Sequence, residues 1–172
     1  MPVTVARLGQ FCGALELRLG ITDPCGVSGL PGLSSAQNGI ATLARGLPTD
    51  GYSRGAETPV LPTDSSLFFR SGTENICRRL ADQMVNVAAA PMATPPRAAS
   101  KYQSAAQDAA IADFVATLMG LPDGDPRAAD AKQILTEHYQ NALATTGIKA
   151  ADALKSTFVL ACIAPSTISV GL

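Results

Sequence analysis

The chain has 172 residues and a formal net charge of −1, and its 13 basic residues are dispersed along the sequence. A chain of this length buries roughly 70% of the surface that its unfolded form exposes, which is enough for one self-sufficient hydrophobic core. A small, dispersed charge does not create the field that holds a polyanion, so we do not expect nucleic acid as a partner. No apolar run reaches the roughly 18 residues that cross a bilayer, so the chain is not expected to span a membrane. Residues 1–20 lack the pattern of a signal peptide, so export would imply that a leader has been removed.

Residues 1–63 are predicted to form a loop-rich segment with one or two short helices. The first helix has Thr4 as its cap and carries its apolar positions at Val5, Leu8, Cys12, Leu15 and Leu19. The alternation of Leu15, Leu17 and Leu19 also fits a strand, but we favour the helix. Residues 35–45 are predicted to form a second short helix. Residues 24–33 and 46–62 are rich in Gly, Pro, Ser and Thr and are predicted loops.

A long helix is predicted over residues 64–87, followed by an extended crossover over residues 88–100. One stripe of the helix collects Phe69, Ile76, Leu80, Met84 and Val87, with Cys77 beside it. The crossover contains three prolines among small residues. Proline has no N–H to donate and clashes with the preceding turn, so this segment cannot continue the helix.

Two further helices have marked ends. The first begins with a capping box, Ser104–Gln107, and continues through Ile111, Phe114, Val115 and Leu118 to end at Gly120. The second has Asp125 as its cap and Pro126 at its first helical position, and it ends before Gly147.

A last helix is predicted over residues 149–164, where Pro165 stops it. Helices joined by short connections pack antiparallel with their neighbours. The sequence therefore predicts an all-α fold in which residues 64–172 form an irregular four-helix bundle. Residues 1–63 are expected to pack around this domain, and residues 166–172 to add a short extended piece.

The chain has four cysteines, Cys12, Cys25, Cys77 and Cys162. No two of them have the Cys-x-x-Cys spacing that is typical of zinc, iron–sulfur or thioredoxin-type sites. Two interpretations stay open. Four inert thiols fit a cytosolic core, because free cysteine is among the most buried residue types. Two disulfides fit an oxidising compartment, and we favour the pairs Cys12–Cys25 and Cys77–Cys162 because each can join neighbouring elements.

The single histidine, His138, follows Leu135 by three residues and Ile134 by four, which places it on or beside the apolar stripe of its helix. Such a histidine can ligate a haem iron or another metal, or act as an acid or base near neutral pH. We favour a histidine at the edge of the core, hydrogen-bonded to a carbonyl or to water. The chain has no His-Glu-x-x-His or Glu-x-x-His pattern, so neither a metal site nor a catalytic residue is predicted.

Residues 68–79 hold the densest mixture of aromatic, basic and amide groups in the chain. Arg70, Arg78 and Arg79 are candidates for an anion or partner contact, but they do not share one helix face. Ion pairs along the helix are the simpler interpretation, with Arg70 bound to Glu74 and with Arg78 or Arg79 bound to Asp82.

Two functions from different classes follow. We favour a non-catalytic, disulfide-stabilised helical module of a bacterial extracytoplasmic protein, located in the periplasm, at the cell surface or outside the cell. Such a module would bind another protein or assemble with copies of itself. Few lysines, abundant Ser, Thr, Ala and Pro, and an even cysteine number agree with this. The alternative is a cytoplasmic or periplasmic bundle that binds a small apolar ligand or cofactor, with His138 and Met84 or Met119 in the pocket.

Overall fold

The computed structural model of the chain describes residues 4–5, 8–25, 67–86 and 101–170. These residues are mostly helical, as predicted. Their helices are α1 (Leu8–Leu19), α2 (Leu67–Met84), α3 (Gln107–Asp113), α4 (Ala128–Ala144), α5 (Ala150–Cys162) and α6 (Pro165–Ile168). A 3₁₀ turn (Ser104–Ala106) precedes α3, and a π-helical segment (Phe114–Leu118) continues it. Two short strands are β1 (Thr4–Val5) and β2 (Ser169–Val170). The predicted helix at 35–45, its flanking loops, the crossover and the 63/64 domain boundary lie outside the described residues.

The start of the chain differs from the prediction. Thr4 does not cap α1, because it lies in β1 and pairs antiparallel with Val170. Of the tail predicted to be extended, residues 166–168 are instead helical within α6, and Ser169–Val170 form the strand that pairs with β1. Two-residue strands have no periodicity that a sequence reveals. Along α1, Leu15 and Leu19 are buried while Leu17 is 86% exposed. A strand would place these three side chains on one face, so the exposures agree with the helix.

The described residues on either side of the predicted crossover meet at the end of α2. Val85 forms a parallel bridge with Tyr102, and the N–H of Asn86 donates to the Tyr102 carbonyl at 2.9 Å. The Asn86 side chain donates to the Ser104 hydroxyl at 2.7 Å and accepts from the Ser104 N–H at 2.8 Å. Asn86 has φ +53°, a conformation that asparagine tolerates better than most residues. The predicted capping box is therefore wrong, because Ser104 begins a 3₁₀ turn and binds Asn86.

The helix predicted up to Gly120 is not a single α-helix. After α3, the backbone widens into the π-helical segment, where the N–H of Met119 donates to the carbonyl of Phe114, five residues earlier, at 2.8 Å. Gly120 ends the segment as predicted, with φ +68°. The predicted apolar stripe is confirmed, because Ile111, Phe114, Val115 and Leu118 are all buried.

The start of α4 differs from the prediction, because the helix begins at Ala128 and its N-cap is Arg127, without a side-chain capping bond. Asp125 and Pro126 lie in the turn ahead of the helix, where Asp125 forms hydrogen bonds of its own. The Asp125 carboxylate accepts the N–H of Arg127 at 2.8 Å, and the N–H of Ala128 donates to the Asp125 carbonyl at 3.0 Å. The Arg127 guanidinium also binds this carboxylate at 2.9 Å and holds the pKa of Asp125 below its usual range. The helix ends at Ala144, ahead of Gly147 at φ +87°.

The core is one cluster centred on α5, which packs against both α2 and α4. A disulfide joins Cys77 of α2 to Cys162 of α5, with Cα atoms 5.9 Å apart, and a second joins Cys12 to Cys25 at 5.8 Å. These are the two pairs that the sequence favours. All four cysteines are buried, and none of the chain's cysteines is free.

Side chains from distant parts of the chain close the end of the π-helical segment. The Arg18 guanidinium donates to the Leu118 carbonyl at 2.9 Å and to the Ser166 carbonyl at 3.4 Å. The buried Thr167 hydroxyl donates to the Ala161 carbonyl at 2.9 Å and lies 3.3 Å from the Leu118 carbonyl. Partial burial lowers the pKa of Arg18. A cation at a helix C-terminus satisfies carbonyls that have no helical partner.

Candidate functional site

An open groove with a volume of about 490 Å³ lies along the outer face of α5. Helices α2 and α4 form its walls, because both pack against α5. The volume lies within the range of roughly 300–1,000 Å³ that is typical of small-molecule sites. We call this feature the α5 groove; its lining residues are Glu74, Arg78, Ala81, Asp82, His138, Lys155, Ser156, Val159, Leu160 and Ile163.

The floor of the α5 groove is apolar. Val159, Leu160 and Ile163 are partly buried and pack against the core from the outward side of α5. Their spacing of one, three and four residues places them on one face of the helix. Cys162 is the last residue of α5, directly before Ile163, and is fully buried. Its disulfide to Cys77 holds α2 against α5. The distance between the α2 wall and the floor is thus set by a covalent bond.

Two ion pairs lie along the rim. Arg78 binds Glu74 at 2.6 Å within α2, and Lys155 of α5 binds Asp82 of α2 at 2.8 Å. The side chains of these four residues are between 32% and 65% exposed, so each pair contributes only about 0–1 kcal/mol to stability. The rim therefore carries two acids and two bases, and their charges sum to zero.

His138 reaches the groove from α4. Its Nε2 atom lies 2.8 Å from the hydroxyl oxygen of Ser156 on α5, and the ring is partly buried. A histidine at this distance from a serine is one element of a nucleophilic site. Ser156, however, lies in the middle of α5, where the neighbouring N–H groups donate to helix carbonyls. These N–H groups cannot stabilise an oxyanion, so the pair is better suited to joining α4 to α5 or to binding a polar group.

The structure brings together only some of the residues that the sequence suggested. His138 and Arg78 both line the α5 groove, while Arg70 and Arg79 do not. The predicted pairing of Asp82 with an arginine of its own helix is wrong, because Asp82 binds Lys155. Met84 is buried in the core and Met119 packs against it, so neither lines the groove as the ligand-binding alternative supposed.

Sequence reasoning missed most of the groove. One face of α5 carries Lys155, Ser156 and the three apolar floor residues. Such a mixture of polar and apolar side chains is common on surface helices, so it does not indicate a groove. The bond between Lys155 and Asp82 joins residues 73 positions apart. No local signal identifies such a pair.

Among the described residues, no three His, Cys, Asp or Glu side chains come close enough together to hold a metal ion. In the same part of the chain, no helix combines the length and the apolar character needed to cross a membrane.

Comparisons of the chain with family models, with curated proteins and with solved structures give no match. The disulfides and the α5 groove are therefore the features from which a function is inferred.

Proposed function

We propose that the chain is a non-catalytic, disulfide-stabilised helical module of an extracytoplasmic protein, which acts by binding another protein or a second copy of itself. The observation that carries this proposal is the pairing of all four cysteines in two buried disulfides. Cytosolic reductants keep protein thiols reduced, whereas the periplasm, the cell surface and the extracellular medium allow disulfides to persist. A compartment of this second kind is the one in which this structure would be stable.

The positions of the disulfides support a mechanical role. One holds α1 to the segment that follows it, and the other fixes α2 to α5 in the core. We propose that α2, α4, α5 and the helical segment around α3 form a four-helix bundle in residues 64–172. Residues 1–63 would pack on it, since Phe11 and Leu15 of α1 belong to the same core.

The thiol content of the protein tests this proposal. The protein is isolated from its natural source, denatured, and alkylated with and without prior reduction, and its mass is measured. We expect no alkylation without reductant and four alkylated cysteines after reduction. Alkylation of all four cysteines without reductant would contradict the proposal.

A Cys12→Ala/Cys25→Ala variant is the matched control for the pairing. It should show two alkylated cysteines, Cys77 and Cys162, and only after reduction. Disulfides between other partners in the wild type, identified by peptide mapping, would contradict the proposed arrangement.

A second candidate function is the binding of a small apolar ligand in the α5 groove. The favouring observation is that His138 and Ser156 present polar atoms above an apolar floor of suitable volume. Native mass spectrometry and an absorption spectrum of the purified protein test it. A retained small molecule that is lost in a Leu160→Glu variant would support ligand binding, and a protein that carries none and binds no apolar probe would contradict it.

A further inference from the structure

Ser156 forms an unusual hydrogen bond for a serine in the middle of a helix. Serine and threonine hydroxyls inside a helix commonly donate to the carbonyl four residues earlier. Thr157, the next residue of α5, follows this pattern and donates to the Ala153 carbonyl at 2.8 Å. The Ser156 hydroxyl instead lies 2.8 Å from Nε2 of His138 on the neighbouring helix. Two polar side chains that line the α5 groove are therefore bound to each other, in a groove with an apolar floor.

The pair of His138 and Ser156 keeps one donor and one acceptor, whichever ring nitrogen carries the proton. If Nε2 is protonated, it donates to the serine oxygen, and the serine O–H and Nδ1 remain as donor and acceptor. If Nδ1 is protonated, the serine O–H donates to Nε2, and the Nδ1–H and the serine oxygen remain. A ligand hydroxyl is complementary to both arrangements because it also donates and accepts. A carboxylate only accepts, and an ammonium group only donates.

The charged groups of the groove are already paired within the molecule. Arg78 binds Glu74 at 2.6 Å, and Lys155 binds Asp82 at 2.8 Å. An ionised ligand group could bind one of these side chains only by separating an existing pair, which would leave the displaced partner without its counterion. Because exposed ion pairs contribute little, the exchange of one pair for another gives the ligand almost no advantage. The rim therefore does not favour a charged ligand.

We propose that the α5 groove binds an uncharged aliphatic alcohol, whose chain lies on the floor of Val159, Leu160 and Ile163 and whose hydroxyl bonds to His138 and Ser156. This rests on the second proposed function, the binding of a small apolar ligand, and names the chemical class of that ligand. Burial of the aliphatic chain supplies the affinity. The single polar group selects among ligands of equal apolar area.

Three compounds with the same alkyl chain test the proposal, namely octanol, octanoate and octylamine. The last two are ionised at neutral pH. Each compound is titrated up to about 1 mM into the oxidised full chain, and the NMR chemical shifts of the α5 backbone amides report binding. Octanol should bind about tenfold more tightly than either ionised compound, because only its hydroxyl satisfies both the donor and the acceptor of the pair.

A double variant, His138→Phe/Ser156→Ala, removes both polar groups and keeps the floor. The three compounds should bind it with affinities within about twofold of one another, since only the alkyl chain then contributes. Thr136→Ala is the matched control, because it also removes a hydroxyl from a helix wall, but this hydroxyl donates to the Lys132 carbonyl and does not line the groove. It should keep the preference for octanol. Leu160→Glu should lose octanol binding because it places a charge on the floor.

The outcomes separate the proposal from the function on which it rests. Equal affinities of the wild type for the three compounds, or tighter binding of an ionised one, would overturn the alcohol class and leave ligand binding in the groove standing. Failure of all three to bind would overturn both. A preference for octanol that persists in the double variant would overturn the assignment of the hydroxyl to His138 and Ser156. None of these results changes the thiol measurement, so the disulfide proposal is tested separately.

Discussion

Removing the disulfide between α2 and α5 should destabilise the protein more than removing the disulfide near the N-terminus. The perturbation is a pair of double variants, Cys77→Ala/Cys162→Ala and Cys12→Ala/Cys25→Ala. All four sulfur atoms belong to buried residues, so each double variant loses two buried sulfurs and leaves similar cavities. The difference between the variants then reports mainly the length of the loop that each disulfide closes in the unfolded chain.

The magnitude follows from the sequence separations of the two disulfides. In the chain-entropy model, a separation of 85 residues contributes about 4.5 kcal/mol, and a separation of 13 residues contributes about 3 kcal/mol. We therefore expect the free energy of unfolding to fall by about 1.5 kcal/mol more for the longer loop. The closed loops do not overlap along the chain, so the two losses should be nearly additive.

Urea unfolding followed by circular dichroism measures the free energy of unfolding and its dependence on urea concentration. The free energy should fall more for Cys77→Ala/Cys162→Ala than for Cys12→Ala/Cys25→Ala. The urea dependence should become steeper in both variants, because an unfolded chain without the cross-link exposes more surface. The steepening should be larger for Cys77→Ala/Cys162→Ala. A greater loss for Cys12→Ala/Cys25→Ala, or an unchanged urea dependence in both variants, would contradict the expected dependence on loop length.

Three further substitutions test separate contacts. Arg18→Ala removes the shorter of the two hydrogen bonds to the Leu118 carbonyl, which keeps only the 3.3 Å contact from the Thr167 hydroxyl. Thermal unfolding should show a loss of about 1–3 kcal/mol that Arg18→Lys partly restores. Asn86→Ala removes both side-chain bonds to Ser104 at a residue with φ +53°. Urea unfolding should show a loss of about 1–3 kcal/mol. Asn86→Gly should lose less, because glycine adopts this φ freely. The side-chain bond from Arg127 lowers the pKa of Asp125. The Asp125 carboxylate therefore stabilises the fold at pH values above the ordinary carboxyl pKa. This stabilisation is lost as the pH falls through the lowered pKa. The stability difference between wild type and Asp125→Asn, measured by thermal unfolding at a series of pH values, should therefore be present at neutral pH and close in strong acid.

Each of these results has a contrary outcome. An Arg18→Ala variant as stable as the wild type would show that water or the Thr167 hydroxyl satisfies the Leu118 carbonyl. Equal losses for alanine and glycine at position 86 would mean that the backbone conformation contributes nothing. A difference at position 125 that is independent of pH would exclude the carboxylate charge as its source.

The helices of the second half could be predicted because their signals are local. Apolar side chains at helical spacing predict the buried stripe of Ile111, Phe114, Val115 and Leu118, and Gly120 marks its end. The π-helical segment could not be predicted, because the same apolar spacing fits an α-helix. Ser104 shows how a local signal fails, since Asn86, 18 residues earlier, takes its hydroxyl and its N–H.

The candidate site was predicted only in part. His138 was identified because it is the single histidine and lies beside an apolar stripe, and it does line the α5 groove. Its partner Ser156 is on another helix, 18 residues further along the chain. Periodicity reports that a helix face is apolar but not which other helix covers it, so the groove itself had no signal in the sequence.

The sequence by its local pattern was enough for the helices of the second half and for their ends at Gly120 and before Gly147. It favoured the observed cysteine pairs but left free thiols open. Tertiary structure decided the rest, because these features arise where segments far apart in the chain meet. The β1 and β2 ladder joins the two ends of the described chain. Lys155 of α5 binds Asp82 of α2, 73 residues away in sequence. The α5 groove is of the same kind, because it exists only where α2 and α4 flank α5.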